Sequence, residues 1–343
     1  MSDVYDPTRL GQANNTGDTD ALFLKVFSNE ILATFEKTQI MKPLHTIRTI
    51  SSGKSATFAT IGTATAAYHT PGENIMTKSY DHDADGSTAE VSKYTTNLNM
   101  NEQVINIDKM LVSSTFIPNI DELKNHFDVR GQFSKELGTA LAQRFDRAVL
   151  KTLAAGATDS SAQPSGQPAG INFNGATSTG AELVSTIAKI AQLLDENDVP
   201  DDGTRFAILK PEEYYKLVST DNIAIQKDYG GSGGVAAGNI PQIAGINIFK
   251  SNNLKAVAVA SQPDSDDSSS NNDVFGASGA GYNPTNLSST VILGGHPSAV
   301  GTVKLLDLAT ESDYSVQHQG TLMVAKYAMG HAVLRAGACV NVT

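Results

Sequence analysis

The chain has 343 residues, with 25 Lys and Arg against 36 Asp and Glu, a net charge of −11, and 40% hydrophobic residues. That length predicts about two domains, or one large one, with enough apolar content for a core. The acidic balance excludes a protein that grips nucleic acid across its surface, because such a grip needs clustered Lys and Arg. No apolar run reaches the roughly 18 residues that span a bilayer, and the start, MSDVYDPTRL, has neither a basic nor an apolar region of a secretory signal. The lone Cys339 permits no internal disulfide, which predicts folding in a reducing cytoplasm.

The polar beginning of the chain reads as an extended arm. Asp18-Thr19-Asp20 then offers a helix cap, and Leu22, Phe23, Val26, Phe27, Ile31, Leu32 and Phe35 follow at helical spacing. So wide a stripe beside a mobile terminus docks either on the protein's own core or on a neighbouring copy. Residues 40–61 turn to strand character, loosely alternating and rich in β-branched side chains. Residues 62–100 are dominated by Gly, Thr, Ala, Asn, Asp and Lys, and strand character returns over 101–117 with Val104, Ile105, Ile107, Met110, Leu111 and Val112. Two strands enclosing so long a polar stretch predict a hairpin that projects from the body and finds its stability on another molecule.

A long helix is predicted over about 119–155. Pro118 and Asn119 mark its start, and Phe133, Leu137, Leu141, Phe145, Val149 and Leu153 recur at every fourth residue. Lys124, Arg130, Lys135, Gln143, Arg147 and Lys151 are assigned to the opposite, solvated face. At 1.5 Å per residue such a helix spans roughly 55 Å, a spine against which a sheet packs. The Pro/Gly-rich residues 156–180 mark a boundary. Beyond it lie a helix through Leu183, Ile187, Ile190, Leu193 and Leu194, a buried strand Phe206-Ala207-Ile208-Leu209, a helix begun by Pro211, a strand from Ile243 to Phe249 and an acidic loop over 261–273. Strand patterns return over 299–343. The architecture expected is α+β, one body completed by both ends of the chain with a second domain inserted.

Chemical motifs are sparse. Gly53-Lys54-Ser55 resembles the tail of a phosphate loop, but Arg48 stands where its first Gly belongs. Asp81, Asp83 and Asp85, followed by Gly86, copy the opening of a calcium loop and are the candidate metal ligands. Ser92 occupies the twelfth position, where a bidentate Glu is required, and Glu90 falls two residues early. A calcium-dependent binding or adhesion module is therefore the alternative reading. No G-x-S-x-G elbow and no H-x-x-x-H spacing occur among the seven His, and Cys339 sits in an apolar strand as an inert thiol. Neither a catalytic residue nor a cofactor site is assigned, and an unspecified hydrolase is the remaining enzyme reading.

Six stretches carry a resemblance: ALFLKVF (21–27), RTISSGKSA (48–56), AAYHTPGEN (66–74), NHFDVR (125–130), SAVGTVKL (298–305) and AKYAMGH (325–331). In this order they resemble the major capsid protein of short-tailed double-stranded-DNA phages of the Autographiviridae type. The middle, about 156–297, matches only in short pieces near Val199-Pro200 and Gly245-Ile246. The resemblance implies the Hong Kong 97-type capsid fold. It implies an N-terminal arm over 1–45 and an extended loop over 62–100. It further implies a peripheral domain from 46–61, 101–180 and 298–343 around the spine helix, and an axial domain over 181–297. It implies a structural, non-enzymatic shell protein of the virion, assembled in the bacterial cytoplasm as hexamers and pentamers. The partners it implies are a scaffolding protein, a portal and packaged DNA enclosed without sequence-specific binding, with no membrane. Gly62, Gly72 and the pair Gly131 and Gly138 are candidate hinges for shell expansion. Lys78 and Lys93 lie in the loop, but no covalent crosslink is assigned to them.

Overall fold

The computed structural model describes residues 33–34, 39–62, 64, 66–69, 71–72, 78–82, 88–92, 100–107, 110–119, 130–159, 168–218, 242–254, 287 and 289–343. The helix predicted over 21–35, apart from residues 33–34, which are helical, the Gly-rich segment near 230, the acidic loop over 261–273 and the first ten residues of the expected spine after Asn119 lie outside the described residues.

The spine is helix α1, Arg130–Thr158. Its Leu137, Leu141, Phe145, Val149 and Leu153 are buried, as their four-residue spacing requires, and Phe133 packs against the same core. The expectation of one solvated face fails along the second half. Asp146, Ala148, Leu150, Thr152, Ala154 and Ala157 are buried too, and Gln143, Arg147 and Lys151 are half-buried. The cause is a second sheet: α1 runs between two sheets and is covered by both.

The first sheet has four strands in the order β1 (Thr46–Thr49), β12 (Val300–Ser315), β13 (Gly320–Val333) and β6 (Leu111–Pro118). The pairing of β1 with β12 is parallel and the other two are antiparallel. Register shifts between Lys304, Leu306 and Ala309 put bulges in β12, which bend and twist a hairpin of this length. Side chains alternate across β13. Met323, Ala325, Tyr327 and Val333 join the core beneath α1, while Ala328 and Ala332 point to the other face and a separate small cluster.

The second sheet has six strands in the order β7 (Ile171–Phe173), β14 (Cys339–Val342), β11 (Ile292–Gly295), β8 (Phe206–Leu209), β10 (Ile246–Lys250) and β9 (Gln242–Ile243). Strands β8, β11 and β14 are buried at every residue, because both faces are covered. On β11, a Cβ built on Gly294 would meet Ile190 of helix α2 (Gly180–Glu196) at 3.4 Å, and one on Gly295 would meet Leu153 of α1 at 3.3 Å. Helix α2 begins with a capping box: the Thr179 hydroxyl accepts from the Glu182 N–H at 3.3 Å, and the Glu182 carboxylate accepts from the Thr179 N–H at 3.1 Å. Helix α3 (Pro211–Val218) packs on α2 and buries Tyr214 and Leu217.

The α+β class stands, with two departures from the expected arrangement. Residues 299–343 do not all complete the sheet of β1 and β6. A 3-10 turn at Ala336–Ala338 redirects the chain, and the apolar β14 enters the middle of the other sheet, between β7 and β11. Strands β2 (Ser55–Ile61) and β5 (Met100–Asn106) also leave the four-stranded sheet and, among the described residues, pair only with each other. One continuous apolar cluster runs from Met41 through α1 to Val342 and joins both sheets.

Candidate assembly site

The β2–β5 ribbon is attached to the body by one face. Ala56, Ile105 and Ile107 form a small cluster with Val303, Ala328 and Ala332, flanked by Ile50, Phe58, Leu305, Leu306 and Leu334. Two further contacts hold the root. The Ile107 N–H donates to the Lys54 carbonyl at 2.8 Å, and Arg48 Nη1 donates to the Thr57 carbonyl at 2.9 Å with its guanidinium 5.7 Å from the centre of the Phe58 ring. The opposite face exposes Ile61 and Val104, at 53% and 43%, and Tyr68 beyond it is almost fully exposed. A second ribbon of β3 (Lys78–His82) and β4 (Thr88–Ser92) follows within the polar stretch, with Tyr80 opposite Glu90.

The segment 39–45 is pinned to α1. The Asp146 carboxylate accepts the N–H groups of Ile40 and Met41 at 3.1 and 3.2 Å. Burial pushes its pKa up to about 6, against the lowering effect of those two bonds. A turn at Lys42–Leu44 sends Met41 and Leu44 into the core. His45 Nδ1 donates to the Met41 carbonyl at 2.5 Å, which leaves Nε2 buried and unprotonated. Phe145 lies at the centre of this junction, 5.7 Å from the His45 ring, 5.4 Å from His331 and 6.5 Å from Tyr327. His331 Nδ1 meets the Thr302 hydroxyl at 2.8 Å. Burial, and secondarily the neighbouring His45, holds the His331 pKa down to about 3; burial also lowers that of His45 and raises that of Tyr327.

A third surface is the end of the β12–β13 hairpin. Asn119 Nδ2 donates to the Tyr314 hydroxyl at 2.9 Å, the Asn119 N–H donates to the Gln319 carbonyl at 3.0 Å, and Gln319 Nε2 donates to the Val316 carbonyl at 2.7 Å. These bonds fix a turn that leaves Val316 69% exposed at its tip.

The chemical candidates separate in the structure. Asp81 lies on β3 opposite Ala89, while Asp83 and Asp85 lie outside the described residues. Among the described residues there is no group of three His, Cys, Asp or Glu side chains placed to share a metal ion, and no helix is long and apolar enough to cross a membrane. Lys54 and Ser55 lead into a strand rather than into the helix that a phosphate loop requires. Cys339 is buried, and burial raises its thiol pKa far above the usual range.

One grouping was invisible in the sequence. His296 Nδ1 accepts the Ser298 N–H at 3.2 Å and lies 2.8 Å from the Ser298 hydroxyl, while Nε2 faces Asp202 Oδ2 at 3.4 Å. Asp202 also accepts the Thr204 hydroxyl and N–H, which hold its pKa down to about 2. Two tight turns, far apart in sequence, are tied together here. Asp146 was missed as well, although it carried a signal: it falls four residues after Ala142 and three before Val149, on the buried side of the helix.

A long helix between two sheets, with a ribbon hung from the body by one face, is a design that recurs in virus shells. A capsid structure of Cyanophage P-SCSP1u superimposes with a TM-score of 0.69 at 34% identity, covering 98% of both chains. The mature capsid of bacteriophage PhiM1 does so at 0.63 with 13% identity, covering 99% of this chain and 92% of that one. The fold is the Hong Kong 97-type capsid fold, and the class is that of shell-forming capsid proteins. In sequence, the Gp10A-like major capsid protein family matches residues 57–343. The major capsid protein of Enterobacteria phage T3 is 34% identical over 97% of this chain and 95% of its own length. That of Escherichia phage T7 is 33% identical over 94% and 93%. The chain belongs to the Gp10A-like major capsid proteins, and its place is the capsid of a virion.

Proposed function

We propose that copies of this chain assemble as hexamers and pentamers into a closed icosahedral shell around double-stranded DNA, with no catalytic turnover. The observation that carries this reading is the ribbon. Its root is held on one side by a small apolar cluster, its other side exposes Ile61 and Val104, and the chain beyond is long and polar. A two-stranded ribbon is marginal alone and gains stability by lying on something. A neighbouring copy supplies that surface in a repeating lattice.

On this reading residues 1–45 are an N-terminal arm that leaves the body at the Asp146 anchor, and 62–100 are the extended loop. The peripheral domain comprises 46–61, 101–180 and 298 to about 333. The axial domain is 181–297, and β7 and β14 extend its sheet. A scaffolding protein and a portal serve as assembly partners. The net charge of −11 suits a wall that encloses DNA without adhering to it. Deleting residues 66–95 tests the reading: with the scaffolding protein present, a soluble folded chain that yields no closed particles by negative-stain microscopy is expected. Normal particles from that deletion refute it.

A further inference from the structure

The ribbon reaches the body at one unusually close crossing. A Cβ built on Gly330, three residues from the end of β13, would lie 2.3 Å from the Asn106 carbonyl oxygen and 3.1 Å from its carbon. Both partners are backbone, so no side-chain rotation relieves the overlap. Every residue other than Gly places a carbon there and lifts β5 off the sheet.

The seat around this crossing is built for contact at short range. Ala328 and Ala332 flank Gly330 on the same face of β13, and Ala56 and Ile105 meet them from the ribbon. This cluster is separate from the main core beneath α1. A displacement of the ribbon therefore leaves the packing of α1 against both sheets in place. The geometry gives it leverage. Relief of the overlap requires Asn106 to move by about 1 Å to an ordinary contact, and from Asn106 to Met100 the strand extends about 20 Å. A tilt pivoting two residues beyond the crossing, on the side away from Met100, carries the far end of the ribbon by about 4 Å. The loop between β2 and β5 moves with it.

We propose that Gly330 is a positioning residue for shell closure: its bare backbone sets the angle at which the ribbon leaves the body, and so where the loop lands on a neighbouring copy. This rests on the reading that the loop reaches another copy. Arg48 acts in the same sense from the other strand, since its bond to the Thr57 carbonyl and its place over Phe58 hold β2 beside β1.

The test uses Gly330→Ala in the full chain. Cys339 is buried, so cysteines introduced at the exposed Ala59 and Gln317 take spin labels selectively, and the distance between them reports the ribbon's angle. The unassembled variant is expected to keep its circular dichroism and thermal midpoint, to change the label distance by about 2–3 Å, and to give open or irregular assemblies with the scaffolding protein. An unchanged distance overturns the proposal, and so do normal closed shells from a variant whose ribbon has moved. If Gly330→Ala does not fold, Ala332→Val adds its bulk at a side-chain contact of the same seat, away from the backbone crossing, and is held to the same outcomes. The 66–95 deletion separates this inference from the one beneath it. Shells formed without the loop refute the loop's role, whereas shells lost on deletion but normal with a displaced ribbon refute only the role of Gly330.

Discussion

Acidification of the unassembled protein from pH 7 to pH 5 probes the buried junction around Phe145, where two histidines and one carboxylate oppose one another. His331 is neutral in the folded chain, with its pKa held down to about 3 from 6.5. Its contribution to stability is complete above pH 6.5 and is lost as pH falls, because the unfolded chain takes up a proton that the folded chain does not. Between pH 7 and pH 5 that loss is about 2 kcal/mol, and His45, displaced in the same direction, adds to it. Asp146 works the other way. With its pKa raised from 3.8 to about 6, the folded chain binds the extra proton over this window, and stability rises by about 1 kcal/mol as pH falls to 5. Urea unfolding at the two pH values measures the balance, and comparison between variants cancels every other titrating group. His331→Gln is expected to reduce the acid-induced loss by about 2 kcal/mol, and Asp146→Asn to enlarge it by about 1 kcal/mol. If His331→Gln loses as much stability on acidification as the parent chain, or if the Asp146→Asn difference has the opposite sign, the account of the junction is wrong.

Leu153→Ala removes a fully buried side chain from the half of α1 that lies between both sheets, and is expected to cost about 2–5 kcal/mol in urea unfolding; a loss under about 1 kcal/mol contradicts that placement. Thr179→Ala abolishes the capping box of α2 and is expected to cost about 1 kcal/mol, read as a lowered thermal midpoint, whereas Thr179→Ser preserves most of it. Cys339 is expected to react with a thiol reagent at the rate of unfolding, so prompt labelling of the native chain at neutral pH contradicts its burial in β14.

The spine was legible because its signal is local. Phe133 through Leu153 repeat at the period of the helix itself, and any core on that side buries them. The long polar stretch between two strand-like flanks was legible for the same reason, as were the buried strand at Phe206 and the helix after Pro211. The candidate assembly site was only half legible. The exposed face of the ribbon follows from alternation along 101–107, but its seat does not, because the partners Ala328 and Ala332 are more than two hundred residues away and individually unremarkable.

Sequence alone therefore determined the spine from Arg130 onward, the two helices after it, most of the described strands, the acidic charge and the absence of a recognisable catalytic motif, all of which are written within short windows of the chain. The tertiary structure decided which sheet receives Cys339–Val342, that α1 is covered on both sides, that Asp146 holds the backbone of Ile40 and Met41, and that Asn106 crosses Gly330 with no room for a side chain. Each of these depends on two segments meeting across a long separation. The free energy of such a meeting resides in the pair, in desolvation and contact that neither segment possesses until the other has arrived.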